Sequence, residues 1–303
     1  MTMASWGEVL GEMQEHMDSK GHVIKALSLT DLRIKYLVNL HNCTKRNVIA
    51  YYSGWLKDAR RPNLDINDSD MTGFMQCLRG MDCKLGLDLI LHTPGGDPTA
   101  AEGIVNYLHA KFDRDIRVIV PQMAMSAGTM LACSAKSILM GKQSCLGPID
   151  PQYGGVPAYN IKSEYEDAKA NLDATPRSRT YWELQLSRYP TAFYYTVCDG
   201  IQLSGTLAGE WLTKYMFGEL SRTEAVEKAK RILTMLNNNN KSHLRHFGIE
   251  KCKQLGFVIE ELEENDELQD AVLSVHHAFT ITFDQERHAK IIMNHFGQGY
   301  FVS

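Results

Sequence analysis

Residues 86–151 read GLDLILHTPGGDPTAAEGIVNYLHAKFDRDIRVIVPQMAMSAGTMLACSAKSILMGKQSCLGPIDP, a stretch that marks itself off as repeated strand, turn and helix. Leu87-Asp88-Leu89-Ile90-Leu91 is a short apolar run stopped by Thr93-Pro94-Gly95-Gly96, the pattern of a buried strand ending in a turn. From Ala100 onward Ile104, Leu108 and Phe112 recur at helical spacing, and Pro98 suits the first turn of that helix. The second round gives the strand Ile116-Arg117-Val118-Ile119-Val120, stopped by Pro121, and a helix opening at Ala127-Gly128-Thr129-Met130, with Ser126 at the junction. Ile138-Leu139-Met140 supplies a third strand. Strands alternating with helices predict a parallel sheet with helical crossovers, and such sheets hold ligands at the carboxyl ends of their strands.

Two features of this stretch carry chemistry. At Gly95-Gly96 no side chain blocks approach, so backbone N–H groups can face a carbonyl or phosphate; the alternative is an ordinary tight turn. Ser126 lies at a helix start, where exposed amides favour negative charge; the alternative is an ordinary N-cap. Together they point to acyl transfer, which needs a nucleophile and preorganised donors for the oxyanion.

The glycine pair followed one strand later by a serine at a helix start resembles the Clp protease and crotonase superfamily. More closely, Ile49-Ala50-Tyr51-Tyr52-Ser53-Gly54-Trp55-Leu56, Leu89-Ile90-Leu91-His92-Thr93-Pro94-Gly95-Gly96, Ala124-Met125-Ser126-Ala127-Gly128-Thr129-Met130 and Leu146-Gly147-Pro148-Ile149-Asp150-Pro151-Gln152 resemble the serine dehydrogenase proteinase family, relatives of signal peptide peptidase A. The resemblance implies an α/β fold, a Clp/crotonase-like spiral of ββα units with helical N- and C-terminal additions. It further implies a serine peptidase acting on polypeptides as a homo-oligomer without a cofactor, with Ser126 as nucleophile and the Gly96 and Ala127 amides as oxyanion hole. The corresponding division of the chain is a helical arm over 1–65, a catalytic core over 66–260 and a helical extension over 261–303.

The general base departs from the family pattern. Where Clp-type peptidases place a histidine after the third strand, this chain has Asp150. Where they place the acid, before a later helix, it has Ser242-His243-Leu244-Arg245. The expectation is an exchanged pair, with His243 near Ser126 and Asp150 orienting the imidazole. The rival is a serine–lysine dyad using Lys162 or Lys169, but their surroundings look solvated, and a lysine base must be buried enough to lose its proton. His243 also reads as a structural helix-start residue, and Asp150, before Pro151, as a turn residue. Two readings from other classes remain: a crotonase-like acyl-CoA enzyme, and a catalytically inactive scaffold of the same fold.

Length and composition suit an ordinary soluble protein of one large or two modest domains: 303 residues, 44% hydrophobic. A net charge of −4 gives no reason to expect nucleic acid. No apolar run approaches the roughly 20 residues of a membrane span. The start, Met1-Thr2-Met3-Ala4-Ser5-Trp6, lacks the pattern of a signal peptide, and seven scattered cysteines suit a reducing cytoplasm. His243, His246 and Cys252 make only a weak metal candidate, and no G-x-x-x-x-G-K-[ST] loop for ATP occurs.

Beyond the central stretch, residues 5–40 show helical periodicity, with Val9, Met13 and Met17 on one face, and Tyr51, Tyr52 and Trp55 form an aromatic stretch. Helices are expected over 71–78, capped by Asp68 or Asp70, and over 162–170, 191–217, 222–236, 249–255 and 270–280. Gly154-Gly155-Val156-Pro157-Ala158 reads as extended. The polar run 171–179 lacks periodicity and reads as a linker or a surface lid. The acidic run Glu260-Glu261-Leu262-Glu263-Glu264-Asn265-Asp266-Glu267 reads as a solvated helix entry, His276-His277 as structural or interfacial, and 289–303 as a last strand or a dimer contact.

Overall fold

A computed structural model describes residues 5–17, 23–24, 26–237, 243 and 245–303. Helix α1 (Trp6–Gly11) opens on a capping box in which the Ser5 hydroxyl and the Glu8 carboxylate each accept the other's backbone N–H. It ends at Gly11, so Val9, Met13 and Met17 do not share one helical face. Met13 lies in a turn and Met17 in β1 (His16–Met17), which pairs with β2 (Val23–Ile24). Helix α2 (Leu29–Thr44) leads into β3 (Asn47–Ser53), every residue of which is buried. In α3 (Asp70–Leu78) the cap position falls to Ser69, which makes no side-chain cap bond; Asp68 does not serve, and Asp70 is the first helical residue, wholly buried.

The central stretch follows the expected alternation: β4 (Leu87–His92), α4 (Pro98–Phe112), β5 (Ile116–Val120), β6 (Met123–Ala124), α5 (Ala127–Cys133), β7 (Ser137–Met140) and β8 (Cys145–Leu146). Beyond it, residues 154–158 are not simply extended. They turn a tight hairpin, β9 (Gln152–Tyr153) against β10 (Val156–Pro157), on Gly154 and Gly155. The polar run 171–179 is no long loop either. Helix α6 (Ala158–Ala174) continues through its first part, and a short turn at Pro176–Ser178 leads to α7 (Arg179–Leu186). Periodicity was invisible there because the end of α6 and the turn after it are largely exposed and so have no buried apolar face to repeat.

Helix α8 (Phe193–Trp211) is extended by a π-helical turn, Leu212–Met216, and α9 (Arg222–Asn237) is capped by Ser221, whose hydroxyl accepts from Glu224 N–H. Of the asparagine run, Asn238, Asn239 and Asn240 lie outside the described residues, as do Ser242 and Leu244. β11 (Phe247–Gly248), α10 (Ile249–Leu255) and β12 (Ile259–Glu261) follow, then α11 (Asp266–Gln285) and the closing hairpin β13 (Lys290–Asn294) and β14 (Gly299–Val302). The acidic run is not uniformly solvated: the Glu260 carboxylate accepts from Arg117 Nη1 at 2.8 Å and from the Ser137 hydroxyl.

These strands form a mixed α/β fold around one seven-stranded sheet in the order β12-β7-β5-β4-β3-β13-β14. The first five are parallel; β13 runs antiparallel to both its neighbours. β3 from residues 1–65 and β13–β14 from residues 261–303 thus share a layer with strands of 66–260. Side chains alternate across the sheet. Ile49, Tyr51, Leu89, Leu91 and Val118 pack toward α3, α4 and α5, while Val48, Tyr52, Ile90 and Ile119 pack toward α2 and α11. A smaller sheet, β11-β8-β6, sits beyond the carboxyl ends of the central strands.

Candidate active site

The loops leaving β4 and β5 are laced together. Thr93 N–H donates to Met123 O at 3.1 Å, and Met125 N–H donates to Thr93 O at 3.0 Å, so the glycine turn and the serine junction run side by side. Their closeness explains the glycines. A Cβ on Gly95, whose φ is +101°, would lie 2.6 Å from both Met125 O and Ser126 Cβ. One on Gly96, φ +153°, would lie 2.3 Å from Ile66 N and O. Ile66 is there because its N–H donates to Gly95 O at 2.8 Å while its carbonyl accepts from Asp97 N–H at 2.9 Å. Thr93 Oγ1 accepts from Gly95 N–H, and neither Gly96 N–H nor Ala127 N–H has an acceptor among the described residues.

Ser126 does not behave as an ordinary N-cap. Its φ of 50° and ψ of −118° lie in territory that L-residues rarely occupy, and its hydroxyl makes no cap bond to α5. The helix is held from elsewhere: Thr129 Oγ1 donates to Ala124 O at 2.8 Å and accepts from Gly147 N–H at 2.9 Å. The Ser126 hydroxyl is left at the wall of a cleft of about 590 Å³.

The same cleft is lined by Gly96, Ala127, Met130, Ile149, Tyr153 and His243. His243 reaches it because the chain is fixed on both sides. Ile149 N–H donates to Leu236 O at 3.1 Å, and β11 pairs with β8 through Phe247 and Leu146. His243 Nδ1 lies 3.0 Å from Asp150 Oδ1, and the other carboxylate oxygen accepts from Gln152 Nε2 at 2.8 Å. Asp150 is almost wholly buried and His243 half-buried. With Nδ1 protonated toward the carboxylate, Nε2 keeps a lone pair for accepting a proton.

Lys162 does not line this cleft; it pairs with Glu166 at 3.7 Å along α6. Lys169 borders a different cavity, of about 440 Å³, with Tyr165, Leu172 and Tyr194. Of the weak metal candidates, Cys252 is fully buried with Sγ 3.4 Å from Phe247 O, its thiol pushed up to about 12 by burial. Sequence reasoning passed over Asp65 and Ile66, whose segment walls one side of the glycine turn. The segment Arg60-Arg61-Pro62-Asn63-Leu64-Asp65 reads in the sequence only as a break in the chain, which gives no hint of a partner thirty residues downstream.

A serine at a strained helix start and a histidine paired with a buried aspartate thus border one cleft on a largely parallel α/β sheet. Residues 62–175 match the family of ClpP-like SDH-type serine proteinases. Two curated relatives come from Methanocaldococcus jannaschii, and both are uncharacterized proteins. One is 30% identical over 197 residues, covering 64% of this chain and 60% of its own length; the other is 37% identical over 100 residues, covering 33% and 34%. The chain therefore spans less than two thirds of either relative. Among the described residues no helix is long and apolar enough to cross a membrane.

Proposed function

We propose that the protein is a serine endopeptidase that cleaves polypeptides through an acyl-enzyme on Ser126. The observation that carries this reading is a serine at a strained helix start, its hydroxyl unused as a cap, on the wall of the cleft that His243, paired with Asp150, also lines. Ser126 Oγ attacks the scissile carbonyl as His243 Nε2 takes its proton, and Asp150 holds the imidazole by Nδ1–H and stabilises the imidazolium. The amides of Gly96 and Ala127 receive the oxyanion. Collapse of the tetrahedral intermediate breaks the C–N bond, with His243 returning the proton to the leaving amine. Water, deprotonated by the same imidazole, then attacks the ester and releases Ser126. One donor of such an oxyanion pair is worth about 3 kcal/mol in the transition state.

Labelling with a fluorophosphonate, read by mass spectrometry, tests the assignment. Label on Ser126 is expected in the wild type, absent in Ser126→Ala, reduced by about 10³-fold in His243→Ala, and unchanged in Lys162→Ala. Loss in Lys162→Ala with retention in His243→Ala would transfer the base to the lysine. An unlabelled wild type would leave the crotonase-like reading if it turned over an acyl-CoA, and the scaffold if it did not.

A further inference from the structure

Lys290, the first residue of β13, is wholly buried, as are Asp70 and Tyr51. Its Nζ donates to Asp70 Oδ1 at 2.5 Å and to Asp65 O at 2.7 Å. The second oxygen of Asp70 accepts from Tyr51 OH at 2.8 Å and from Asn67 N–H at 3.1 Å. Removing a lysine and an aspartate from water costs several kcal/mol per ion, and an apolar pair of similar volume is often the more stable choice. What the charged pair does here that an apolar pair would not is grip main chain. It holds Asp65 by its carbonyl and Asn67 by its N–H, on either side of Ile66. Ile66 in turn holds Gly95 O and Asp97 N–H, with Gly96 pressed against its backbone.

We propose that Lys290 and Asp70 are positioning residues for the oxyanion hole: through the 65–67 segment they fix the glycine turn so that Gly96 N–H faces the cleft. The inference rests on the peptidase reading of Ser126. It assigns to the C-terminal hairpin a part in catalysis that does not require it to touch substrate.

The test separates positioning from folding. Lys290→Met alone strands a buried carboxylate, so the double variant Lys290→Met/Asp70→Asn, which leaves no unpaired charge, is the informative protein. Fluorophosphonate labelling of Ser126 needs the oxyanion donors. Iodoacetamide alkylation of the same position in a Ser126→Cys background does not, and can be followed on the peptide carrying residue 126. The double variant is expected to label at least 10-fold more slowly with fluorophosphonate while residue 126 is alkylated within about 2-fold of the parent rate. Hydrogen exchange at the Ile66 and Asp97 amides should accelerate in parallel. Unchanged labelling overturns the proposal, and so does a matched fall in labelling and alkylation, which would mark the pair as structural only. Failure of the peptidase reading is distinguishable, because it appears as an unlabelled wild type before any variant is made; the exchange measurement still reports on the grip.

Discussion

At the scale of single residues, the site is a set of close approaches that a methyl group would ruin. Gly96→Ala would push a carbon into the Ile66 main chain on both its N and O sides, and neither can retreat without releasing Gly95 or Asp97. The expected outcome is a fall in kcat/KM of about 10²-fold or more, with unfolding stability lowered by about 2 kcal/mol, measured by peptide turnover and urea denaturation. Gly95→Ala collides instead with Met125 O and the serine itself, so it should abolish fluorophosphonate labelling at comparable loss of stability. Much of this was legible beforehand. The motifs put the glycine pair and Ser126 at consecutive strand ends, and the comparison with Clp-type peptidases singled out His243 and Asp150, whose side chains lie 3.0 Å apart. The left-handed φ of Ser126 could not, because serine is an ordinary N-cap and only the tertiary lacing of Thr93 to Met123 and Met125 forces it out of that role. Nor could the reason for Gly96, which depends on a contact with Ile66 made across thirty residues.

At the scale of elements, helices with an apolar stripe and buried strands were readable, whereas elements lacking a buried face were not. Helix α7 and the hairpin of β9 and β10 are the cases: one buries nothing, and the other is set by two consecutive glycines at positive φ, 60° and 79°. Charge was misread for a related reason. An acidic residue in a long acidic run looks solvated, yet Glu260 shares Arg117 with Asp88 at the far end of the parallel strands. Asp88 is wholly buried and receives Arg46 Nε at 2.8 Å as well as Arg117 Nη2 at 2.8 Å. Removing it takes a shared, wholly buried carboxylate from both guanidinium groups, which keep Asp115 and Glu260 as partners. Asp88→Ala should therefore cost about 3 kcal/mol in urea unfolding, the lower end for a broken buried pair, and Glu260→Ala, on a half-exposed carboxylate, much less.

At the scale of the molecule, the side of the sheet away from the cleft carries a pH liability. His92, His276 and His277 lie together, with ring centroids 5.1 Å apart for the first pair and 6.1 Å for the second, under Tyr52 and Trp55. Burial pushes the His276 imidazole down to about 4, helped by repulsion from His277, and holds His92 well below its ordinary value for the same reasons, with His276 as its neighbour. A histidine held neutral in the fold binds fewer protons than in the unfolded chain. Its contribution is complete above the unfolded value near 6.5 and is lost as pH falls toward 4. For His276 the loss approaches about 3 kcal/mol, so unfolding midpoints should drop steeply across that interval, and His276→Gln should flatten the slope. The placing of β13 has a different kind of consequence. It sits beside β3, which is synthesised far earlier. On the peptidase reading, a nascent chain whose nucleophile and imidazole have already emerged still lacks the strand bearing Lys290. Translation would then act as a safety catch, withholding a working protease until that strand has left the ribosome.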